Sequence, residues 1–197
     1  MYKDSFIADE ELSLWEQLRK GDENAFSTLF VRFYADLYAY SVKLTKEESL
    51  SHDIVQELFL NLWQSHQKLQ PIESIKPFLL KCAKNLVIDY WRKIKTIEKT
   101  NQSIVQEEIV FSYEDFKISN EETAAQTEQI LAMLNTLPDR VKEAIYLRFF
   151  TGLSYTEIAK VMDVNVQSAR NFVHRGIRQM KDVYVIFLAI VPYTFQG

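Results

Sequence analysis

Ser154–Lys181, SYTEIAKVMDVNVQSARNFVHRGIRQMK, holds two short helical patterns separated by a three-residue break. Ser154 precedes an apolar-periodic segment and has Glu157 three residues on, the capping-box spacing that satisfies free amides at a helix start. Ile158, Ala159, Val161 and Met162 supply the inner side of this first helix. The break is Asp163-Val164-Asn165, and Asn165 is placed to cap a second helix starting near Val166. In that helix Ala169, Val173, Gly176, Ile177 and Met180 recur at three- and four-residue spacing and so share one face. The opposite face carries Gln167, Ser168, Arg170, Asn171, His174, Arg175 and Arg178. This is the layout of a helix-turn-helix, whose second helix offers amide, hydroxyl and guanidinium groups to base edges and phosphates. The same pattern also fits an ordinary helical hairpin with a solvated basic face, so the rest of the chain has to decide.

Composition points the same way for fold class. In 197 residues the apolar fraction is 47%, enough for real cores, while four Gly and four Pro argue against a loop-rich β protein. The helix formers Leu, Glu, Lys, Gln and Ala are abundant, which predicts an all-α chain of two small helical domains. The net charge of −4 does not suggest nucleic acid, but its distribution does. Residues 76–99 carry 7 basic and 2 acidic groups, and 138–197 carry 8 and 5. The stretches 1–75 (7 and 13) and 100–137 (1 and 7) are acidic. Two basic islands between acidic stretches imply two polyanion-binding surfaces that the overall charge conceals. Cys82 stands alone among apolar residues, so it reads as a buried packing thiol and no Cys-based metal site is expected. Met1–Lys20 is acidic and amphipathic without an apolar run, so a cytoplasmic location is expected.

Four helical patterns precede the motif in the first half of the chain. The first covers 6–20, with Ile7, Leu12, Trp15 and Leu18 as core candidates, and Gly21-Asp22 ends it and caps the next. The second, from Glu23 to about Leu44, shows a stripe of Phe26, Leu29, Phe30, Phe33, Leu37, Tyr40 and Leu44. The third, about 47–67, has Leu50, Ile54, Leu58 and Leu62 inside, with Asp53 and Glu57 spaced i, i+4 on an edge. Two like charges at that spacing repel slightly. They fit a metal, acid/base chemistry, a basic protein partner or plain solvent, and no His or Cys lies at ligand spacing beside them. The fourth, from about 74–77 to 95, can bury Phe78, Leu79, Ala83, Leu86, Val87 and Tyr90, leaving Lys81, Lys84, Asn85, Asp89, Arg92, Lys93 and Lys95 outside. Basic groups interleaved with Tyr90 and Trp91 suit melted DNA, where rings stack on exposed bases.

Residues 97–130 are polar and acidic apart from IVFSY at 109–113, and read as a flexible linker, partly ordered where that apolar patch docks. A second domain is expected over 131–182, with Pro138 at a helix start, Val141, Ile145, Leu147, Phe149 and Phe150 inside, and Gly152 as a C-cap. The tail 183–197 begins with nine apolar residues, VYVIFLAIV, too few for the roughly 20 a membrane span needs.

Three stretches in this order carry a family resemblance: DIVQELFLNLW at 53–63, PFLLKCAKNLVIDYWRK at 77–93, and LPDRVKEAIYLRFFTGLSYTEIA at 137–159 with HR at 174–175. The chain resembles bacterial sigma factors of the extracytoplasmic-function class over about 21–95 and 132–181. The resemblance implies a domain over 1–96 that binds core RNA polymerase and the minus-ten promoter element, and a helix-turn-helix domain that binds the minus-thirty-five element. Asp53, Gln56, Glu57, Leu60 and Trp63 resemble the surface that docks on the polymerase's largest subunit. The loop 68–76 and Lys84, Asn85, Asp89, Tyr90, Arg92 and Lys93 resemble the part that melts and captures the minus-ten element. Gln167, Ser168, Arg170, Asn171, His174 and Arg175 would read the minus-thirty-five element, with Arg148 and Arg178 on phosphates. Such proteins need no cofactor or metal, catalyse no reaction of their own, and are commonly held by an anti-sigma factor, often membrane-bound.

Asp163 departs from the family, which usually has Gly in the turn, and Asp tolerates the left-handed conformation better than most residues. Phe172 stands where many members have a basic or polar residue. The apolar tail is also outside the common pattern, and one role open to it is an internal clamp on the first domain. The competing function is an autonomous helix-turn-helix regulator, which leaves the first domain unexplained. An enzyme is disfavoured, since His52, His66 and His174 are scattered and there is no Gly-rich phosphate loop.

Overall fold

The structure, a computed structural model, describes residues 2–98, 109–116 and 121–181. Among these residues the fold is all helix and turn, with no strand. The chain divides into two compact units, Met1–Val105 and Gln106–Gly197. The apolar tail 183–197, with the clamp considered for it, lies outside the described residues.

Unit 1 contains α1 (Tyr2–Arg19), α2 (Glu23–Thr45), α3 (Glu48–Gln64) and α4 (Ile75–Glu98). Asp22 starts α2 as expected: its Oδ1 accepts from the backbone N–H of Asn24 at 2.8 Å and of Ala25 at 3.0 Å. The α2–α3 turn passes through Lys46 in the left-handed region (φ 59°) and is closed by the Thr45 and Ser51 hydroxyls, 2.7 Å apart. The core comes from Leu29, Phe33, Leu37 and Tyr40 of α2, Ile54, Val55 and Phe59 of α3, and Leu79, Leu80, Ala83 and Val87 of α4. Removing each large side chain of this set from water contributes about 1.5–3 kcal/mol. Helix α1 is bolted to the α3–α4 loop: Trp15 Nε1 donates to the Gln70 carbonyl at 3.0 Å and Arg19 Nε to the Leu69 carbonyl at 2.8 Å. Trp15 also meets Phe78 edge-on at 5.2 Å. These bonds hold the loop and the start of α4 against the bundle.

Unit 2 contains α5 (Glu121–Asn135), α6 (Asp139–Ile145), a π-helical turn Tyr146–Phe150, α7 (Tyr155–Met162) and α8 (Val166–Gln179). Residues 121–130, expected in the linker, are helical and belong to α5. The reason is visible in Thr127 and Ile130, both fully buried: an acidic surface does not prevent a helix whose other face packs. The segment 109–116 lies in the stretch expected as linker, and its apolar patch docks within unit 2, the partial order considered for it. Ile109, Phe111 and Phe116 are buried, and the Phe111 and Phe116 rings lie 5.4 and 5.5 Å from that of Phe150.

The α7–α8 pair forms as its caps dictate. The Ser154 backbone N–H donates to Glu157 Oε2 at 2.9 Å, and the Glu157 N–H donates to Ser154 Oγ at 3.3 Å. Asp163 is left-handed (φ 54°, ψ 53°), so the turn keeps its shape without glycine. Asn165 Oδ1 accepts from the Ser168 N–H at 2.7 Å. Gly176 lets α8 approach α6 closely: a Cβ there would stand 2.7 Å from Ile145 Cδ1 and 3.2 Å from Val141 Cγ1. Ile177, expected inside, is only half-buried.

Candidate nucleic-acid interface

Helix α8 presents its polar face as the sequence predicts. Gln167, Arg170, Asn171, His174, Arg175 and Arg178 are exposed, while Ala169, Val173, Gly176 and Met180 are buried on the other side. Gln167 Nε2 donates to Asn171 Oδ1 at 3.0 Å, aligning two amides that each keep further donors and acceptors for base edges. Ser168 is half-buried and its backbone N–H is spent on the Asn165 cap.

Arg148, expected on phosphate, is partly buried. Its Nη1 donates to the Leu153 carbonyl at 2.8 Å and its guanidinium lies over the Tyr155 ring, 5.1 Å from the centroid. The Arg170 guanidinium lies over the same ring at 5.5 Å, and the His174 ring meets it edge-on at 6.2 Å. Tyr155, not singled out in the sequence, thus joins the π turn, the start of α7 and the outer face of α8. An aromatic immediately after the cap Ser154 was the available signal.

In unit 1 the outer face of α4 carries Asn85, Asp89, Arg92 and Lys93, all exposed, with Tyr90 half-buried against Trp91. Arg92 Nη1 bonds Asp89 Oδ1 at 2.7 Å with both side chains largely solvated. Such a pair is worth at most about 1 kcal/mol and opens readily to a phosphate. Lys84 corrects the expectation: it is 5% exposed. Its position in the run 80, 84, 87 places it on the stripe of Leu80 and Val87, which packs inward, and its side chain engages other groups of the fold. It is not a surface contact for DNA.

Asn85 and Asp89 stand on the lip of a cleft of 250 Å³ between α3, the following loop and α4, lined also by Asn61, Ser65, Leu69 and Phe78. Cys82 lies in its wall, and burial pushes that thiol up to about 11, against a smaller opposing effect of Lys81.

On α3, Asp53, Gln56, Glu57 and Leu60 are exposed along one face, Leu60 at 59%. Trp63 is half-buried at the end of that face, packed on Phe26 at 5.1 Å and stacked on His66 at 5.1 Å and 22°. A shallow groove of 290 Å³ runs beside Gln56 and Leu60, floored by Phe26, Phe30 and Phe59. No group of His, Cys, Asp or Glu able to hold a metal occurs among the described residues, so the Asp53–Glu57 pair has no metal-site partner there. Among the same residues no helix is long and apolar enough to cross a membrane.

Two separately folded helical units, one with an acid-edged helix beside a basic one and the other with a helix-turn-helix, define a two-domain transcription factor. Residues 29–96 match the Sigma-70 region 2 family and residues 127–180 match the Sigma-70 region 4 family. The chain belongs to the extracytoplasmic-function (ECF) RNA polymerase sigma factors. It is 26% identical over 172 residues to the ECF RNA polymerase sigma factor SigX of Bacillus subtilis, spanning 81% of this chain and 83% of that one. It is 23% identical over 157 residues to SigM of the same organism, spanning 79% and 93%. Two solved structures share the fold at TM-score 0.58. CnrH, solved with the cytosolic domain of CnrY, is 18% identical and covers 89% of this chain and 97% of its own. The sigma factor RpoE of Bartonella quintana, solved with the anti-sigma factor NepR, is 16% identical and covers 82% and 97%.

Proposed function

We propose that this chain binds core RNA polymerase through the outer face of α3, captures a melted minus-ten element with α4 and the cleft beside it, and reads a minus-thirty-five element with α8. The observation that carries this is the pairing, in one chain, of the solvated Asp53–Gln56–Glu57–Leu60 face with the exposed polar face of α8. An autonomous regulator uses only the second. The α3 face combines carboxylates without an internal use and an exposed leucine over an aromatic groove, which suits a partner surface bearing Arg or Lys and apolar groups. On α4, Asn85, Asp89, Arg92 and Lys93 supply hydrogen-bonding and phosphate-binding groups beside a cleft of 250 Å³ that is proposed to take an unstacked base. On α8, the amides of Gln167 and Asn171 suit adenine edges, Arg170 and Arg175 suit guanine, and Arg178 suits phosphate.

The chain acts by selecting where polymerase starts and supplies no reacting group of its own. Because a relative of the same fold was solved with an anti-sigma factor, this chain is proposed to be held by such an inhibitor until a signal releases it. Run-off transcription tests the central reading. Start sites are mapped after overexpression, and a template from them is transcribed by core polymerase with and without the chain. Transcripts that require the chain are expected. Tight binding to the template without polymerase, and no transcript with it, overturns the reading in favour of an autonomous regulator.

A further inference from the structure

We infer that Tyr155 is a positioning residue for the reading face of α8: its ring presets the Arg170 guanidinium, with the His174 ring packed beside it, for contact with bases. This rests on the proposal above that α8 reads the minus-thirty-five element.

The ring is a fixed object. Tyr155 is the first residue of α7, and the reciprocal Ser154–Glu157 cap sets the direction in which that helix leaves the loop. Arg148, tied to the Leu153 carbonyl at 2.8 Å, also rests over the ring at 5.1 Å. Arg170 has no such support within α8, being exposed on a helix surface. A long Arg side chain in that setting samples many rotamers, and base contact must stop most of them. Lying over Tyr155 at 5.5 Å gives Arg170 one preferred direction before DNA arrives. The His174 ring, one turn further along α8, meets the same ring at a steep angle, with centroids 6.2 Å apart and planes at 72°. Two side chains of the reading face are therefore set by one residue outside it. Attraction between cation and ring also offsets part of the repulsion between Arg148 and Arg170, which keeps positive charge concentrated where a polyanion would lie.

The test uses the complete chain with core polymerase and a template library randomised over the segment upstream of a mapped start site. Transcribed templates are sequenced for the wild type, Tyr155→Leu, Tyr155→Phe and Arg170→Ala. Wild type is expected to enrich one upstream sequence. Tyr155→Leu should lower the enrichment at the positions that Arg170→Ala flattens by about two- to fivefold, the range a cation–π contact supports at an exposed site. Tyr155→Phe keeps the ring and should behave as wild type. The double variant Tyr155→Leu/Arg170→Ala should flatten those positions no further than Arg170→Ala alone. Tyr155→Leu that transcribes less from every template but keeps the wild-type preference overturns the positioning role and leaves a packing role. Wild type that enriches no upstream sequence overturns the reading of α8 itself, and the positioning role with it.

Discussion

The Asn135 side chain takes both backbone groups of Phe111: its Oδ1 accepts from the Phe111 N–H at 2.9 Å and its Nδ2 donates to the Phe111 carbonyl at 3.0 Å. One side-chain amide thus replaces the strand partner that an extended segment would otherwise need, at the last residue of α5. The buried rings of Phe111 and Phe116 supply the apolar part of the same attachment. Asn135→Ala should strip both bonds and leave the Phe111 amide in exchange with water. Hydrogen exchange at Phe111 is expected to quicken by about tenfold, equivalent to one hydrogen bond of about 1.4 kcal/mol, with the α7 and α8 amides unchanged. Equal exchange in the two proteins would show that the rings alone hold the segment.

The contact between Gly176 and Ile145 sets the sign of a substitution that a helix-propensity scale gets wrong. Gly→Ala in a helix normally gains close to 1 kcal/mol. Here the new Cβ would stand 2.7 Å from two side-chain atoms of Ile145, so the fully buried Ile145 side chain or α8 itself must shift. Gly176→Ala should destabilise unit 2 by about 1–3 kcal/mol in urea unfolding. Ile145→Ala opens space at that point, and the two changes together should cost less than the sum of each alone.

Leu60 separates partner binding from folding. With 59% of its surface exposed, it adds little to the core. Leu60→Asp should therefore leave the melting temperature within about 2 °C of wild type. On the proposed polymerase face the same change adds a third carboxylate to Asp53 and Glu57 and removes the apolar contact. Affinity for core polymerase should fall at least about fivefold in a competition assay. An unchanged affinity would move the interface elsewhere on unit 1.

Cys82 should be a slow thiol. Its pKa is raised from 9.0 to about 11 by burial, so at pH 8 the thiolate is about a hundredfold scarcer than for a free cysteine. Alkylation by iodoacetamide should be slower by about that factor, and should reach the free-thiol rate in urea. The folded state holds the proton more tightly than the unfolded one. The resulting contribution to stability is complete below pH 9 and is lost as pH rises through about 11. Urea midpoints of wild type and Cys82→Ala should therefore converge or cross over that window, and a constant difference would deny the shift.

Local rules determined much of this protein in advance. The Asp22, Ser154 and Asn165 caps, the left-handed Asp163 and the split faces of α8 all depend on residues at most a few positions apart, where spacing along the chain is spacing in space. Tertiary structure decided what depends on distant partners. Lys84 has the chemistry of a surface contact, yet the packing of α4 against the bundle turned its stripe inward. The apolar patch at 109–113 signalled that part of the linker docks, but only the fold showed where, on Asn135 and Phe150. Tyr155 read as one more helical residue until the fold brought Arg148 and Arg170 to its ring. Periodicity shows which residues share a face; only packing decides which faces meet, because that depends on burial and close contact summed over segments far apart in the chain.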